Sequence, residues 1–330
     1  MVVASTGPIF IVGCHRSGKT LLRLMLDSHP LVAVPPESHF ITQAYFRRRD
    51  LVGGAGFVSV DRFLGLLEHH RHFLDWGLPL EEVGAQLRRN QRLTLPRALA
   101  TPFEVYAARH GKERWGDKTP MYVRHIPVLA SLFPGAQFIH LIRDGRDVLA
   151  STGARGYVPD VWSTAYHWWS MVTSGKRGGA LIPGRYLEIR YERFVEEPEK
   201  TLRQICDLVG LEFDRAMLDY TARVKVAIPE RRQKRRQKMA VSMPPTPHLR
   251  DWRIEVAPRQ IAVFESIAGD LLDEIGYGRS IRRLPLVLRA CAWLYRRAGA
   301  LRNLLGLDWT YLSLRKRLTG RRPIREAQFD

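Results

Sequence analysis

Cysteine is scarce in this 330-residue chain: Cys14, Cys206 and Cys291 stand far apart. That scarcity excludes a disulfide framework and a cysteine-based metal centre, and it points to a reducing compartment, here the cytoplasm. Long apolar runs are missing as well, since no stretch reaches the ~18 residues that a membrane-spanning helix needs. The chain enters an apolar segment within about ten residues of its start, which leaves no room for a secretory leader. Acidic residues are in short supply, 33 against 52 Lys and Arg, for a formal net charge of +19. The shortfall is local. Residues 223–238 hold eight Lys/Arg and one acid, residues 279–325 hold thirteen and one, and the remainder is balanced.

A near-neutral body of ordinary composition, 45% apolar and 26% charged, therefore carries two basic segments. Its length allows one or two domains with a large core. The basic segments suit polyanions or an anionic membrane surface, or form a solvated face.

The body opens on Pro8-Ile-Phe-Ile-Val-Gly-Cys-His-Arg-Ser-Gly-Lys-Thr-Leu-Leu22. Ile9 to Val12 read as a buried parallel strand, Gly13 to Gly18 as a tight turn, and Thr20 to Leu26 as a helix. A helix N-terminus behind such a turn offers backbone N–H groups and a positive dipole end to an anion. Gly13-x-x-x-x-Gly18-Lys19-Thr20 satisfies the Walker A pattern, so both ATP and a sulfate-donor nucleotide are candidate ligands.

Strand and helix patterns then alternate, which argues for an α/β fold with a parallel sheet. Leu31–Val34, Ala136–Ile142 and Tyr186–Arg190 are further strand candidates, the last two read as buried. Residues 40–110 look like a helical insertion over the site. Glu199–Val209 and Pro258–Ile275 look like amphipathic helices, and residues 228–248 like a mobile loop. The catalytic domain is placed at 1–278 and a basic amphipathic extension at 279–330.

A second informative stretch is Leu141-Ile-Arg143-Asp-Gly-Arg146-Asp-Val-Leu-Ala-Ser151. An Arg at the end of a buried strand, with a Ser eight residues on in the next helix, can clamp one phosphate. A solvated turn is the alternative, less favoured in a chain that already holds a phosphate loop. With Trp115-Gly-Asp-Lys-Thr-Pro120, Arg190-Tyr191-Glu192-Arg-Phe-Val-Glu-Glu-Pro198 and Asp251-Trp252-Arg253 to Gly276-Tyr277, these stretches follow one another in a specific order. Across residues 5–278 the chain resembles sulfotransferases that use 3′-phosphoadenosine 5′-phosphosulfate (PAPS), above all bacterial and tyrosylprotein sulfotransferases.

The resemblance implies a three-layer α/β sandwich with a central parallel sheet, a P-loop NTPase-like sulfotransferase fold without a metal. It implies that Arg16, Ser17, Gly18, Lys19, Thr20 and Leu21 hold the 5′-phosphosulfate. Arg143 and Ser151 would hold the 3′-phosphate, with Tyr191 nearby. Glu37, twenty-one residues after Arg16, would be the catalytic base, and Lys118 would face the transferring group. The chain departs from the family pattern in having His15 where Pro is usual and Lys19 where Thr is usual. No lysine in 240–253 matches the family's later phosphate contact; Arg250 or Arg253 would replace it, or the basic loop at 228–248 would close over the nucleotide.

The residue types suit this chemistry. Sulfuryl transfer needs in-line positioning and cations where charge develops, which Arg16, Lys19 and Lys118 can supply. The acceptor hydroxyl (or, less readily, amine) needs a base, with His15 and His39 as rivals to Glu37. A P-loop kinase would instead need a Mg²⁺ ligand at a strand end, where strand 136–142 presents Arg143. The third reading is a membrane-surface binder. In residues 286–305, Val287, Leu288, Cys291, Leu294, Tyr295, Ala298 and Leu305 share a face opposite Arg289, Arg296 and Arg297, with Trp293, Trp309 and Tyr311 as interfacial aromatics. No nucleic-acid motif accompanies the charge. The acceptor is expected to be a small molecule, glycan, lipid or peptide, received by residues 40–110 and a loop at 152–180 bearing Tyr157, Trp162, Tyr166, Trp168 and Trp169.

Overall fold

A computed structural model of the chain describes residues 7–53, 56–153, 160–221 and 250–304. The predicted loop at 228–248, Tyr157, and Leu305 to the end lie outside the described residues. The chain forms two compact units, one of Met1–Gly13, Gly18–Leu141 and Gly175–Pro247, the other of Cys14–Ser17, Ile142–Ser174 and His248–Asp330.

The first unit is built on a five-stranded sheet. Its strands are β1 (Ile9–Val12), β2 (Val32–Ala33), β3 (Arg114–Asp117), β4 (Gln137–Ile142) and β5 (Tyr186–Arg190). They lie in the order β2-β3-β1-β4-β5. β1 pairs in parallel with β3 and β4, and β2 in parallel with β3. β1 and β4 are buried along their whole length, which is why β1 reads as an unbroken apolar run and β4 as one broken only by Gln137 and His140. Ile9 and Ile11 turn to one face, where they join Leu22, Met25, Phe194, Leu202 and Ile205 in one core. Phe10 turns to the other, against Trp115, Tyr122, Phe133 and Phe138.

β3 is the strand that the apolar pattern does not reveal, because Arg-Trp-Gly-Asp has no hydrophobic run. Its Gly116 is there for closeness: a Cβ would stand 2.9 Å from the Ile9 carbonyl oxygen. β5, expected to be buried, is an edge strand in which only Ile189 is buried. Residues 40–110 are helical as expected: Phe40–Phe46, Arg48–Leu51, Val60–Glu68, Leu80–Arg88 and Leu95–Arg109, with a 3₁₀ turn at Phe73–Trp76. Pro198–Val209 forms the expected amphipathic helix.

The second unit packs around a buried arginine. Arg146 donates to Asp144 Oδ2 at 2.8 Å and to Glu265 Oε1 at 2.7 Å, and its guanidinium lies 3.9 Å from the Trp252 ring centroid. Burial works against its charge, but the two carboxylates more than offset that and raise its pKa. Trp168 packs on Phe264 and donates its indole N–H to the Arg143 carbonyl at 3.0 Å. The aromatics at 162–169 sit on a helix, Val161–Ala180, and not on the expected loop. Their spacing along its turns buries Tyr166 and Trp168 as core. Helix Pro258–Glu274 carries Glu265 and Phe264, and helix Leu286–Leu304 packs along it.

Candidate active site

In the second unit, the turn Cys14–Ser17 brings its residues to the Arg143 exit of β4. Arg16 holds φ 66°, a left-handed conformation that a residue with a side chain adopts only when the surroundings hold it there. Two contacts do so. The Arg16 Nε donates to Ser151 Oγ at 3.1 Å, and Arg143 Nη1 donates to the Arg16 carbonyl at 3.5 Å. Asp147, one helical turn on, lies 3.6 Å from Arg143 Nη2. Ser17 ties the turn internally by donating to the Cys14 carbonyl at 2.8 Å. Arg16, Arg143 and Ser151, widely separated in sequence, thus form one cluster with two guanidinium forks and a hydroxyl. Arg143 and Ser151 are buried, where a phosphate would be well shielded from competing water.

In the first unit, Gly18 at φ 88° caps helix α1 (Lys19–Asp27). A Cβ on Gly18 would come within 2.3 Å of the Tyr191 ring, so the edge of this ring closes against the loop. We expect Gly18→Ala to weaken binding of a 5′-phosphorylated donor by roughly tenfold or more, since it demands both a left-handed alanine and displacement of Tyr191. Calorimetric titration with adenosine 3′,5′-bisphosphate would detect this, and unchanged affinity would refute the close fit. Lys19 is buried at the positive end of α1, whose first turn has no acidic residue. A cation there works against the helix dipole, and an arriving anion relieves the conflict. The same cationic field reaches His140, whose pKa falls to about 3 through burial, with Lys19 and Lys176 adding to the shift. Thr20 is exposed on the first turn and Leu21 is buried.

The first unit also holds the predicted base. Glu37 is 3% exposed and forms an ion pair with Lys118 through Oε1, while its Oε2 lies 3.1 Å from His39 Nε2. The segment is pinned from both sides. The Ser38 N–H donates to Thr119 Oγ1 at 3.0 Å, its hydroxyl meets the Tyr122 hydroxyl at 2.8 Å, and the Ile41 N–H donates to Tyr122 at 3.0 Å. His39 turns to φ 55° and its ring lies 4.2 Å from that of His72. The neighbouring His70 is pushed down to about 4 by burial and by His39, which keeps it neutral. His39, read as a rival base, is therefore a partner of Glu37. His15, the other rival, belongs to the second unit and stacks on His167 at 5.4 Å.

Asp117 is the residue that the strand pattern hides. β3 ends in a carboxylate beside β1, a place where P-loop kinases can keep a metal ligand, whereas β4 is followed by Arg143. Its setting is unsuited to that role. The register pairs Asp117 with Phe10, inside the sheet, and its side chain is fully buried. Neither oxygen makes a well-formed hydrogen bond. Burial raises its pKa to about 6, although the Ser38 and Thr119 hydroxyls favour the charged form. Asp144, the other acid near a strand end, is committed to Arg146. The two substitutes for the later lysine are engaged as well: Arg250 pairs with Glu255 at 2.9 Å and Arg253 with Asp251 at 3.3 Å.

Comparison with known proteins identifies the family. The family model described as "Sulfotransferase family" matches residues 8–215. The chain is 26% identical over 304 residues to nodulation protein NoeE of Sinorhizobium fredii, an alignment covering 83% of this chain and 66% of that protein. It is 26% identical over 221 residues to a protein-tyrosine sulfotransferase of Drosophila melanogaster, covering 64% of this chain and 40% of that one. Among solved structures, the sulfotransferase domain of the Synechococcus PCC 7002 olefin synthase superposes with a TM-score of 0.52 at 27% identity, covering 79% of this chain and 94% of that domain. The chain spans two thirds or less of the length of most of the curated relatives it matches.

Proposed function

The chain belongs to the sulfotransferase family, and from that premise we propose that it transfers a sulfuryl group from PAPS to an acceptor hydroxyl, releasing adenosine 3′,5′-bisphosphate. The observation that carries this reading is the Arg16–Ser151–Arg143 cluster, a phosphate clamp at the exit of β4 that a nucleoside triphosphate does not require. The loop Arg16 to Leu21 would hold the 5′-phosphosulfate, and Arg143 and Ser151 the 3′-phosphate. Tyr191 would lie against the loop through Gly18.

Glu37 would take the acceptor proton as the new sulfur–oxygen bond forms. The bond from sulfur to the phosphate oxygen breaks, and Lys118 and Lys19 would meet the charge left on that oxygen. The carboxylate of Glu37, already ion-paired and held from both sides, needs no reorganisation before it acts. The acceptor, whether small molecule, glycan, lipid or peptide, would enter against the helices of residues 40–110. We place the catalytic domain at 1–278 and its work in a reducing compartment.

A second reading, ATP-dependent phosphoryl transfer with Mg²⁺, draws on the literal Gly13–Thr20 pattern. Thermal-shift measurements separate the two. Adenosine 3′,5′-bisphosphate is expected to raise the melting temperature equally with and without Mg²⁺, and ATP to raise it less under both conditions. A larger ATP shift that depends on Mg²⁺ would overturn the sulfotransfer reading.

A further inference from the structure

We propose that helix Leu286–Leu304 is a docking face for an anionic lipid bilayer, which it meets lying flat on the surface. The inference is independent of the sulfuryl-transfer reading. The sequence pattern expects the helix to turn Val287, Leu288, Cys291, Leu294, Tyr295 and Ala298 to one side. Packing selects a different side. Ala292 is buried, a Cβ on Gly299 would stand 2.4 Å from the Tyr166 ring, and Tyr295 packs against Trp162 and Tyr166. Leu288 lies on this same face at helical spacing. Arg296, expected to be solvated, is drawn inward: it donates to the Ile267 carbonyl at 3.2 Å and lies 5.3 Å from the Trp169 ring.

The small residues Ala292 and Gly299 set this rotation, because they allow the helix to sit closely where leucines would hold it off. In consequence Leu286, Val287, Trp293, Leu294 and Leu301 face outward, with exposures of 53% to 77%. They run along one side of about 28 Å of helix.

The charge around this stripe argues for its occupant. Residues 279–304 contain no Asp or Glu. Arg282, Arg283, Arg289 and Arg297 are exposed, and the Arg297 guanidinium lies 5.4 Å from the Trp293 ring. An apolar stripe with arginines within and beside it, and a tryptophan next to them, is the pattern of a helix that seats among headgroups. A second copy of the chain would set like charge against like charge. No helix among the described residues is long and apolar enough to cross a membrane, so contact would be peripheral.

Flotation of the full chain with vesicles tests this. The protein is expected to rise with phosphatidylcholine vesicles containing phosphatidylglycerol and to stay behind with pure phosphatidylcholine, with added salt weakening the contact. The double variant Val287→Asp/Leu294→Asp, at exposed positions, is expected to lose roughly tenfold in bound fraction with an unchanged melting temperature. Arg289→Glu/Arg297→Glu should do the same by reversing charge. Failure of the wild type to float with anionic vesicles would overturn the proposal. So would equal flotation of the variants, which would place the contact elsewhere, or a dimer in sedimentation that V287D/L294D dissolves.

Discussion

Replacing Glu37 with Gln is expected to lower turnover by about 10²- to 10⁴-fold, the range over which a positioned base contributes. Glutamine keeps the shape of the side chain and can still accept a hydrogen bond from Lys118, but it cannot take a proton. Nucleotide binding is expected to stay within a few-fold of wild type, because the clamp formed by Arg16, Arg143 and Ser151 does not use Glu37. The complication is the ion pair. Lys118 and Glu37 are both buried, and neutralising one partner of a buried pair costs about 3–5 kcal/mol. The melting temperature therefore has to be followed with the rate. Glu37→Gln/Lys118→Met removes both charges and should recover much of the lost stability without recovering activity. Single-turnover rates within a few-fold of wild type in a folded Glu37→Gln protein would remove Glu37 from the mechanism. His39 would then be the next candidate, since its Nε2 shares the same carboxylate at 3.1 Å.

Arg143→Ala carries the second large effect, on binding rather than on turnover. A charge-assisted contact is worth about 1.5–3 kcal/mol, so affinity for adenosine 3′,5′-bisphosphate should fall by roughly 10- to 150-fold. The loss has a signature that general damage does not. Adenosine 5′-phosphate has no 3′-phosphate for Arg143 to hold, so its weaker binding should change little. Arg143 also supports the turn by donating to the Arg16 carbonyl, which makes Arg143→Lys a useful companion. Lysine restores charge without the planar fork and should recover only part of the affinity. Calorimetric titration of both nucleotides reads the difference. Equal losses for the two ligands would mean that Arg143 shapes the loop without contacting the 3′-phosphate.

The legible parts of this protein are those in which one local signal is strong. β1 is apolar along its length, and β4 is apolar except at Gln137 and His140, because parallel strands are covered on both faces. The Gly-flanked turn before α1 reads as a phosphate loop because only certain residues allow it. β3 was not legible: Arg-Trp-Gly-Asp has no period, and it is a strand because it lies between β1 and β2. With it went Asp117, whose place at a strand end follows from that pairing. The tail helix was legible as a helix but not in its rotation, since Ala292 and Gly299 look unremarkable until Tyr166 is set beside them.

By itself the sequence determined the type of fold, the anion loop and the residue types available for the chemistry, because these depend on runs and spacings of a few residues along one chain. The tertiary structure decided which distant groups meet. It joined Arg16 to Ser151 and Glu37 to Lys118 and His39, committed Asp144 to Arg146, and buried Asp117 at the end of β3. Such pairings depend on strand order and on the exit of each loop, and no local pattern of residues records them.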